Sequence, residues 1–161
     1  MAVLPFENVL GRGEADRVIA GLFSTHLAGW DWFLVIEPGE VREALLRNRV
    51  IQESGLSLAQ ADVLRLVLQS DLVVTGEVLE YEDRGPEANP SVSLAVRVID
   101  TTRRAVVWSC LSSHRGDDGV TAFGRRIRTA RALASEMVRA AARAFAREAA
   151  PRRSPERMKE D

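Results

Sequence analysis

Two glycines near the N-terminus, Gly11 and Gly13, follow a short apolar segment in the manner of a dinucleotide-binding loop. In such a loop, three glycines let the backbone approach a pyrophosphate at the start of a helix. Here no third glycine follows, and the carboxylate of Asp16 would repel a pyrophosphate. We therefore expect a turn in which glycine tolerates an unusual φ angle, and not a nucleotide site.

A second polar cluster contains His114, Asp117 and Asp118, which could supply metal ligands or an acid/base pair. No further His or Cys stands at ligand spacing from them. Because adjacent carboxylates usually solvate a turn, a polar loop over residues 114–126 is the favoured interpretation. An enzymatic function would rest on this loop alone.

The other nucleophiles and the second histidine lack a catalytic context. His26 falls in the apolar stripe of a predicted helix, which favours a half-buried, hydrogen-bonded side chain. Ser24 and Ser109 belong to no triad or nucleophile elbow. Cys110 is the single cysteine, so neither an internal disulfide nor a zinc site is expected. We predict no catalytic, cofactor-binding or metal-binding residue, and no enzyme.

The composition is that of one ordinary domain. The chain has 161 residues, of which 46% are hydrophobic, and its net charge is −1. We expect a single α/β domain over residues 1–149 and a disordered tail over residues 150–161, which has no apolar residue able to hold it. No apolar run is long enough to span a bilayer. No targeting segment is visible before the first predicted strand.

Charge is distributed unevenly along the chain. Residues 120–161 hold eleven Arg or Lys against five Asp or Glu, and residues 1–119 hold eleven against eighteen. A solvated helix face is the favoured interpretation, since charge blocks usually solvate. The alternative is a nucleic-acid-binding module. Its arginines would be Arg125, Arg126, Arg128, Arg139, Arg143 and Arg147, but no aromatic residues are interleaved with them for base stacking.

Hydrophobic periodicity predicts a mixed sheet of about five strands, in the order β-α-β-α-α-β-β-β-α. Two alternating runs between Ser91 and Ser113 flank a polar tetrapeptide, which indicates an antiparallel hairpin and excludes a purely parallel sheet. Gly76, inside the third strand, indicates a bulge or a close backbone approach. The predicted strands cover residues 2–6, 32–36, 72–81, 91–100 and 105–113, and the predicted helices cover residues 14–28 and 38–49, a segment from 57 to before 71, and residues 127–146.

Four residues are candidate contacts for a partner. Trp30 flanks the second predicted strand and either anchors a partner or folds back on the core. Arg139, Arg143 and Arg147 lie on the outward face of the last predicted helix. The acidic loop from Glu82 to Pro90 is a further candidate.

The order of several segments resembles a family of bacterial envelope lipoproteins that includes the curli-secretion lipoprotein CsgG. The segments are VLPFEN, VIEPGEVREAL, DLVVTGEVLEY, VSLAVRVIDTTRRAVVWS and a late FGR, and the likeness spans residues 2–146. The penicillin-binding-protein activator LpoB and the N-terminal domain of TolB share the fold. Three features depart from the family: the lipobox cysteine is absent, residues 82–90 are too short for a pore hairpin, and Gln69-Ser70 replaces a usual glycine.

The resemblance implies an α/β domain similar to anticodon-binding domains, which works by contacting proteins in the periplasm. It implies a non-enzymatic interaction domain of an outer-membrane lipoprotein, in envelope assembly, secretion or peptidoglycan-synthesis regulation. No cofactor is implied, and a membrane would be reached only through an anchor outside this chain. Both a homo-oligomer and a monomer are compatible with the sequence.

Overall fold

The computed structural model describes residues 1–9, 11, 14–50, 58–83, 89–118 and 126–150. These residues form a mixed α+β fold with five strands and four helices, which confirms the predicted class. The predicted tail lies outside the described residues. The elements are β1 (Ala2–Val3), β2 (Glu7–Asn8), α1 (Ala15–Ala28), α2 (Pro38–Arg47), α3 (Leu58–Leu68), β3 (Leu72–Glu82), β4 (Ser91–Asp100), β5 (Ala105–Arg115) and α4 (Ala130–Ala149).

The sheet has the order β1-β3-β4-β5, and β2 also pairs with β3. Both short strands run parallel to β3, whereas β3, β4 and β5 are antiparallel neighbours. The hairpin predicted between Ser91 and Ser113 is therefore confirmed, and β5 continues two residues further to Arg115. The prediction that the polar loop begins at residue 114 is wrong, because His114 and Arg115 still pair with β4.

The strand predicted over residues 32–36 is wrong. The backbone N–H of Ile36 donates to the Met1 carbonyl at 2.9 Å, and the Met1 amino group donates to the Leu34 carbonyl at 2.8 Å. Only Met1 pairs with this segment in the described structure, so one rung forms and no ladder follows. The first predicted strand, over residues 2–6, is shortened to Ala2–Val3 before Pro5. The fifth strand is instead β2, Glu7–Asn8, which begins just after the predicted range.

Gly76 lies where two parts of the structure approach closely. A Cβ atom built there would lie 2.2 Å from the Ala95 carbonyl oxygen and 2.5 Å from the ring of Phe6. The predicted close approach is thus confirmed, and the bulge in β3 lies further along, between Val78 and Glu80. Any side chain at Gly76 would force the strand and the Phe6 ring apart.

Two apolar cores lie on opposite faces of the sheet. The larger core packs α1 and α4 against one face, and the smaller core packs α2 and α3 near β1. The predicted inward face of the last helix is buried as expected. Members of the larger core include Ile19, Phe23, Val74, Val78, Val96, Val98, Leu133, Met137, Val138 and Phe145, and members of the smaller core include Ala2, Leu4, Val41, Leu45, Leu64, Leu68 and Val73.

The ends of two elements differ from the prediction for local reasons. The last helix begins at Ala130 and not at Ile127, because the Thr129 hydroxyl accepts a hydrogen bond from the Ala132 N–H and caps the helix. After α3, Gln69 takes a φ of 48°, in the left-handed region that favours glycine. The predicted start of α3, at residue 57, lies outside the described residues.

Candidate interaction site between the first and last helices

A shallow pocket of about 220 Å³ lies where the C-terminal end of α1 meets the middle of α4. His26 and the following Trp30 line it from one side, and Arg139 and Arg143 line it from the other. Ala142, which is buried, completes the lining. Three of the four predicted contact residues, Trp30, Arg139 and Arg143, are therefore brought together.

Helix periodicity explains why these side chains converge. Arg139 and Arg143 are four residues apart on α4, and residues at this spacing lie on the same side of a helix. Trp30 follows the end of α1, where its backbone N–H donates to the Leu27 carbonyl at 3.1 Å and continues the last turn beyond His26. The inward residues of α4 next to the pocket are Ala141 and Ala142, whose small side chains let α1 approach closely. The pocket is thus formed by two helices whose opposite faces are fixed in the larger core.

Trp30 begins a row of aromatic rings that runs from the surface into the core. Its ring centroid lies 5.0 Å from that of Trp32, which lies 6.3 Å from that of Phe33. Phe33 stacks on Phe145 at 5.4 Å, and Phe145 contacts Trp108 at 5.6 Å. Trp30 is half-buried: it packs through its neighbours on the core and also lines a surface pocket. That it anchors a partner stays a prediction.

The pocket has a basic character. Arg139 pairs with Glu136 one turn earlier on α4, whereas Arg143 forms no ion pair within the described part of the chain. Guanidinium groups bind carboxylates and phosphates through paired hydrogen bonds, and an indole ring offers an apolar surface beside them. The arrangement can therefore bind an anionic group that carries an apolar portion. Arg147, the fourth predicted contact, is exposed one turn beyond Arg143 and does not line the pocket.

His26 is the pocket residue whose role sequence reasoning missed. It was expected only as a half-buried histidine, and it is half-buried. Its place in the last turn of the predicted helix, shortly before Trp30, is the signal in the sequence that indicates it. The pairing of that face with the arginines of α4 depends on tertiary packing, which periodicity alone does not reveal.

The other arginines of the basic segment are spread away from the pocket. Arg126 and Arg128 precede α4, and the Arg126 side chain donates to the Asn89 amide oxygen at 2.7 Å. Arg125 lies outside the described residues. The predicted stripe is thus divided between the connection before α4 and the helix itself.

The polar cluster near the end of β5 forms a turn. The Asp118 carboxylate accepts the backbone N–H of Arg115 at 2.7 Å and lies 3.5 Å from Nδ1 of His114. Among the described residues, no group of three or more His, Cys, Asp or Glu side chains is placed to hold a metal ion. The carboxylate therefore closes the turn, as side chains of this type commonly do.

The remaining candidate residues have structural surroundings. The buried Ser24 hydroxyl donates to the Ala20 carbonyl at 3.0 Å, and Ser109 is exposed on β5. Burial raises the pKa of the Cys110 thiol, which keeps it protonated and unreactive near neutral pH. Gly11 adopts a φ of 62°, so the turn expected there is present, while Gly13 lies outside the described residues. No helix in the described ranges has the length and apolarity needed to cross a bilayer.

The fold defines a class: an α+β domain with a mixed sheet that has helices on both faces, whose candidate site is a shallow pocket between α1 and α4. No protein-family model and no curated protein sequence matches the chain. Solved structures do match in fold. A lipoprotein, GNA1162 from Neisseria meningitidis, shares 21% identity with a TM-score of 0.52, over 90% of this chain and 94% of that one.

Two further solved structures share the fold. The PelC dodecamer from Paraburkholderia phytofirmans matches with a TM-score of 0.60 and 19% identity, over 86% of this chain and 81% of that one. LpoB from E. coli matches with a TM-score of 0.53 and 12% identity, over 71% of this chain and 55% of that one. The predicted likeness to envelope lipoproteins is therefore confirmed for the fold, through GNA1162 and LpoB. The likeness to CsgG and TolB stays a prediction.

Proposed function

We propose that this chain is a non-enzymatic protein-interaction domain of the bacterial envelope, which binds an acidic segment of a partner protein. One observation carries the proposal: the packing of α1 against α4 brings Trp30, Arg139 and Arg143 around a single pocket. Aromatic residues and arginine are the types that dominate binding energy at protein interfaces. The pocket combines both in a place where the main chain is held by a core.

The size of the pocket supports a protein partner over a small-molecule ligand. Its volume of about 220 Å³ is below the range of roughly 300–1,000 Å³ that is usual for ligand and cofactor sites. A space of this size accommodates one or two side chains of a partner. The arginines favour an Asp or Glu side chain, and Trp30 favours an apolar neighbour of that residue.

The envelope assignment is supported by the fold shared with a Neisseria lipoprotein and with LpoB. In its finer form, we propose a periplasmic domain of an outer-membrane lipoprotein that acts in envelope assembly, secretion or peptidoglycan-synthesis regulation. The dodecameric state of PelC supports a homo-oligomer for this chain as well. Arg147, one helical turn beyond Arg143, would extend the contact along α4.

The test is site-specific cross-linking in cells of the source organism, followed by fractionation. A photoreactive amino acid replaces Trp30 in one variant and Arg17 in the control variant. Arg17 is also on α1, its side chain is 70% exposed, and it lies away from the pocket lining. We expect a discrete cross-linked protein in the envelope fraction from position 30, absent from position 17.

Two outcomes would contradict the proposal. In the first, positions 30 and 17 give the same cross-linked products. In the second, the product from position 30 contains nucleic acid, as the alternative based on the arginine segment requires. Purified protein then gives a further check, because binding to duplex DNA would weaken with salt by a slope of about −0.9 per neutralised phosphate.

A further inference from the structure

The strand β5 forms one edge of the sheet. Among the described residues it pairs with β4 alone, along its whole length from Ala105 to Arg115 except at Val107. An edge strand presents backbone N–H and C=O groups that have no partner strand, and proteins usually protect such an edge. An edge strand without such protection is available for pairing with another strand.

The register identifies which backbone groups of β5 are directed outward. Gly116 donates its N–H to the Pro90 carbonyl at 2.9 Å, and the same register continues without interruption from Ser91 and Arg115 to Val98 and Trp108. Because bonded pairs alternate in an antiparallel ladder, the even-numbered residues of β5 bond to β4. The odd-numbered residues Ser109, Leu111, Ser113 and Arg115 direct their N–H and C=O groups away from the sheet.

The middle of this edge carries no protective device. The strand contains neither Lys nor Pro, and its charged side chains are confined to its C-terminal end. A bulge at Val107 interrupts the ladder near the N-terminal end and leaves Trp108–Arg115 regular. Leu111, in the middle of that regular stretch, is 73% exposed. A regular, exposed and uncharged edge of this kind is a template for another strand.

The two ends of the edge carry opposite charges. The turn before β5 contains Arg103 and Arg104, which pair within the chain with Asp100 and Asp62. The turn after β5 contains Asp117 and Asp118, so the two turns still differ in the sign of their charged side chains. A second copy of the strand placed antiparallel would bring each basic turn beside an acidic turn, twice per pair. A parallel copy would instead place like charges together. The charge pattern therefore matches an antiparallel copy of the same strand.

We propose that β5 pairs with β5 of a second copy of this chain about a two-fold axis at Leu111, which joins the two sheets into one. In this register Leu111 faces its own copy, Ser109 faces Ser113, and each turn before β5 lies near the turn after β5 of the other copy. The two Leu111 side chains would contact each other on the open face of the joined sheet, and no two like charges would be directly opposed. The outward backbone groups of Ser109, Leu111 and Ser113 would all gain partners.

This inference specifies an interface for the proposed homo-oligomer, on which it rests, and it uses different residues from the proposed pocket. The pocket lies between α1 and α4, whereas the proposed pairing uses the free edge of β5. Loss of one interaction therefore leaves the other measurable. A variant that no longer self-associates should keep the cross-link from position 30, and a pocket variant should keep its oligomeric state.

The first experiment measures molar mass by light scattering across a concentration series for Leu111→Lys and a matched control, Leu66→Lys. Leu66 is on α3 and is 78% exposed, so both changes replace an equally exposed leucine. We expect the wild type and the control to self-associate, and Leu111→Lys to weaken association by about tenfold or more, because two lysines would be opposed. Association that survives Leu111→Lys, or a wild type that is monomeric throughout, would overturn the proposal.

The second experiment does not depend on tolerance of a charge at the edge. Leu111→Cys is combined with Cys110→Ser, and Leu66→Cys with Cys110→Ser serves as the control. Facing residues in a bonded antiparallel pair have Cα atoms about 5.5 Å apart, within the range that a disulfide spans. We expect mild oxidation to link the first variant into dimers and to leave the control mainly monomeric. Equal linkage of the two variants would overturn the proposed register.

Discussion

The two faces of the sheet are covered unequally. On one face, α1 and α4 form a core that includes the paired rings of Phe33 and Phe145 and continues to Trp108. On the other face, α2 and α3 cover only the part near β1, and the outer sides of β4 and β5 remain open around Arg97 and Leu111. On the first face the sheet is covered by helices packed in the larger core, and on the second face part of the sheet is exposed to solvent.

This difference suggests how the two candidate surfaces work. The pocket on the first face lies on helices whose main chain is held by the larger core, so little main-chain entropy is lost when a partner binds. The edge of β5 uses backbone groups and one exposed leucine, so its specificity depends on register and on charge at the strand ends. We therefore expect changes in the larger core to disturb the pocket, and changes in the smaller core to leave it unaltered.

The largest expected effect comes from Phe145→Ala. Phe145 is 5% exposed and contacts both Phe33 and Trp108, so its removal leaves a cavity under the aromatic row that leads to Trp30. We expect the free energy of unfolding in urea to fall by about 3–5 kcal/mol. The tryptophan fluorescence of the folded protein, to which Trp30 contributes, should change as well. A loss below about 1 kcal/mol would show that the Phe145 ring is not a central part of the larger core.

A smaller effect is expected from Leu64→Ala in the core under α2 and α3. Leu64 is buried, but the core around it contains fewer buried residues than the larger core. The residues packed against this smaller core include the partly buried Ile36, Ala44 and Val50. We expect a loss of about 2–3 kcal/mol, in the lower part of the range for buried leucines. The tryptophan fluorescence of the folded protein, to which Trp30 contributes, should be unchanged. If Leu64→Ala destabilised the chain as much as Phe145→Ala and altered Trp30, the proposed inequality of the two faces would be wrong.

Most of the fold could be predicted because its elements carry strong local signals. The alternating residues of β4 and β5 identify the hairpin, and the inward apolar stripe identifies α4. The wrong strand at residues 32–36 has the same apolar character as a true strand. What it lacks is a neighbour, since only Met1 pairs with it, and pairing is a tertiary property.

The site could be predicted in part. Their residue types and predicted positions identify Trp30, Arg139 and Arg143 as candidate contacts. The sequence does not show that α1 packs on α4. Their convergence, and the addition of His26, follow from which helix faces meet in the core. Arg147 satisfied the same sequence criterion, yet it lies one turn too far along α4 to line the pocket. Spacing along a helix indicates a shared face, and only packing determines which part of that face joins a site.

The most direct test of the account follows the Trp30 indole N–H by NMR while hexaglutamate is added as an acidic probe. The wild type is compared with Arg143→Glu and with the control Arg17→Glu, a charge reversal at an exposed ion pair elsewhere on α1. Arg143→Glu should weaken binding by about tenfold or more, since it removes a charge-assisted hydrogen bond and adds repulsion. Arg17→Glu should bind as the wild type does. Equal binding by all three proteins, or no response at Trp30 in the wild type, would contradict the proposal that this pocket binds an acidic partner.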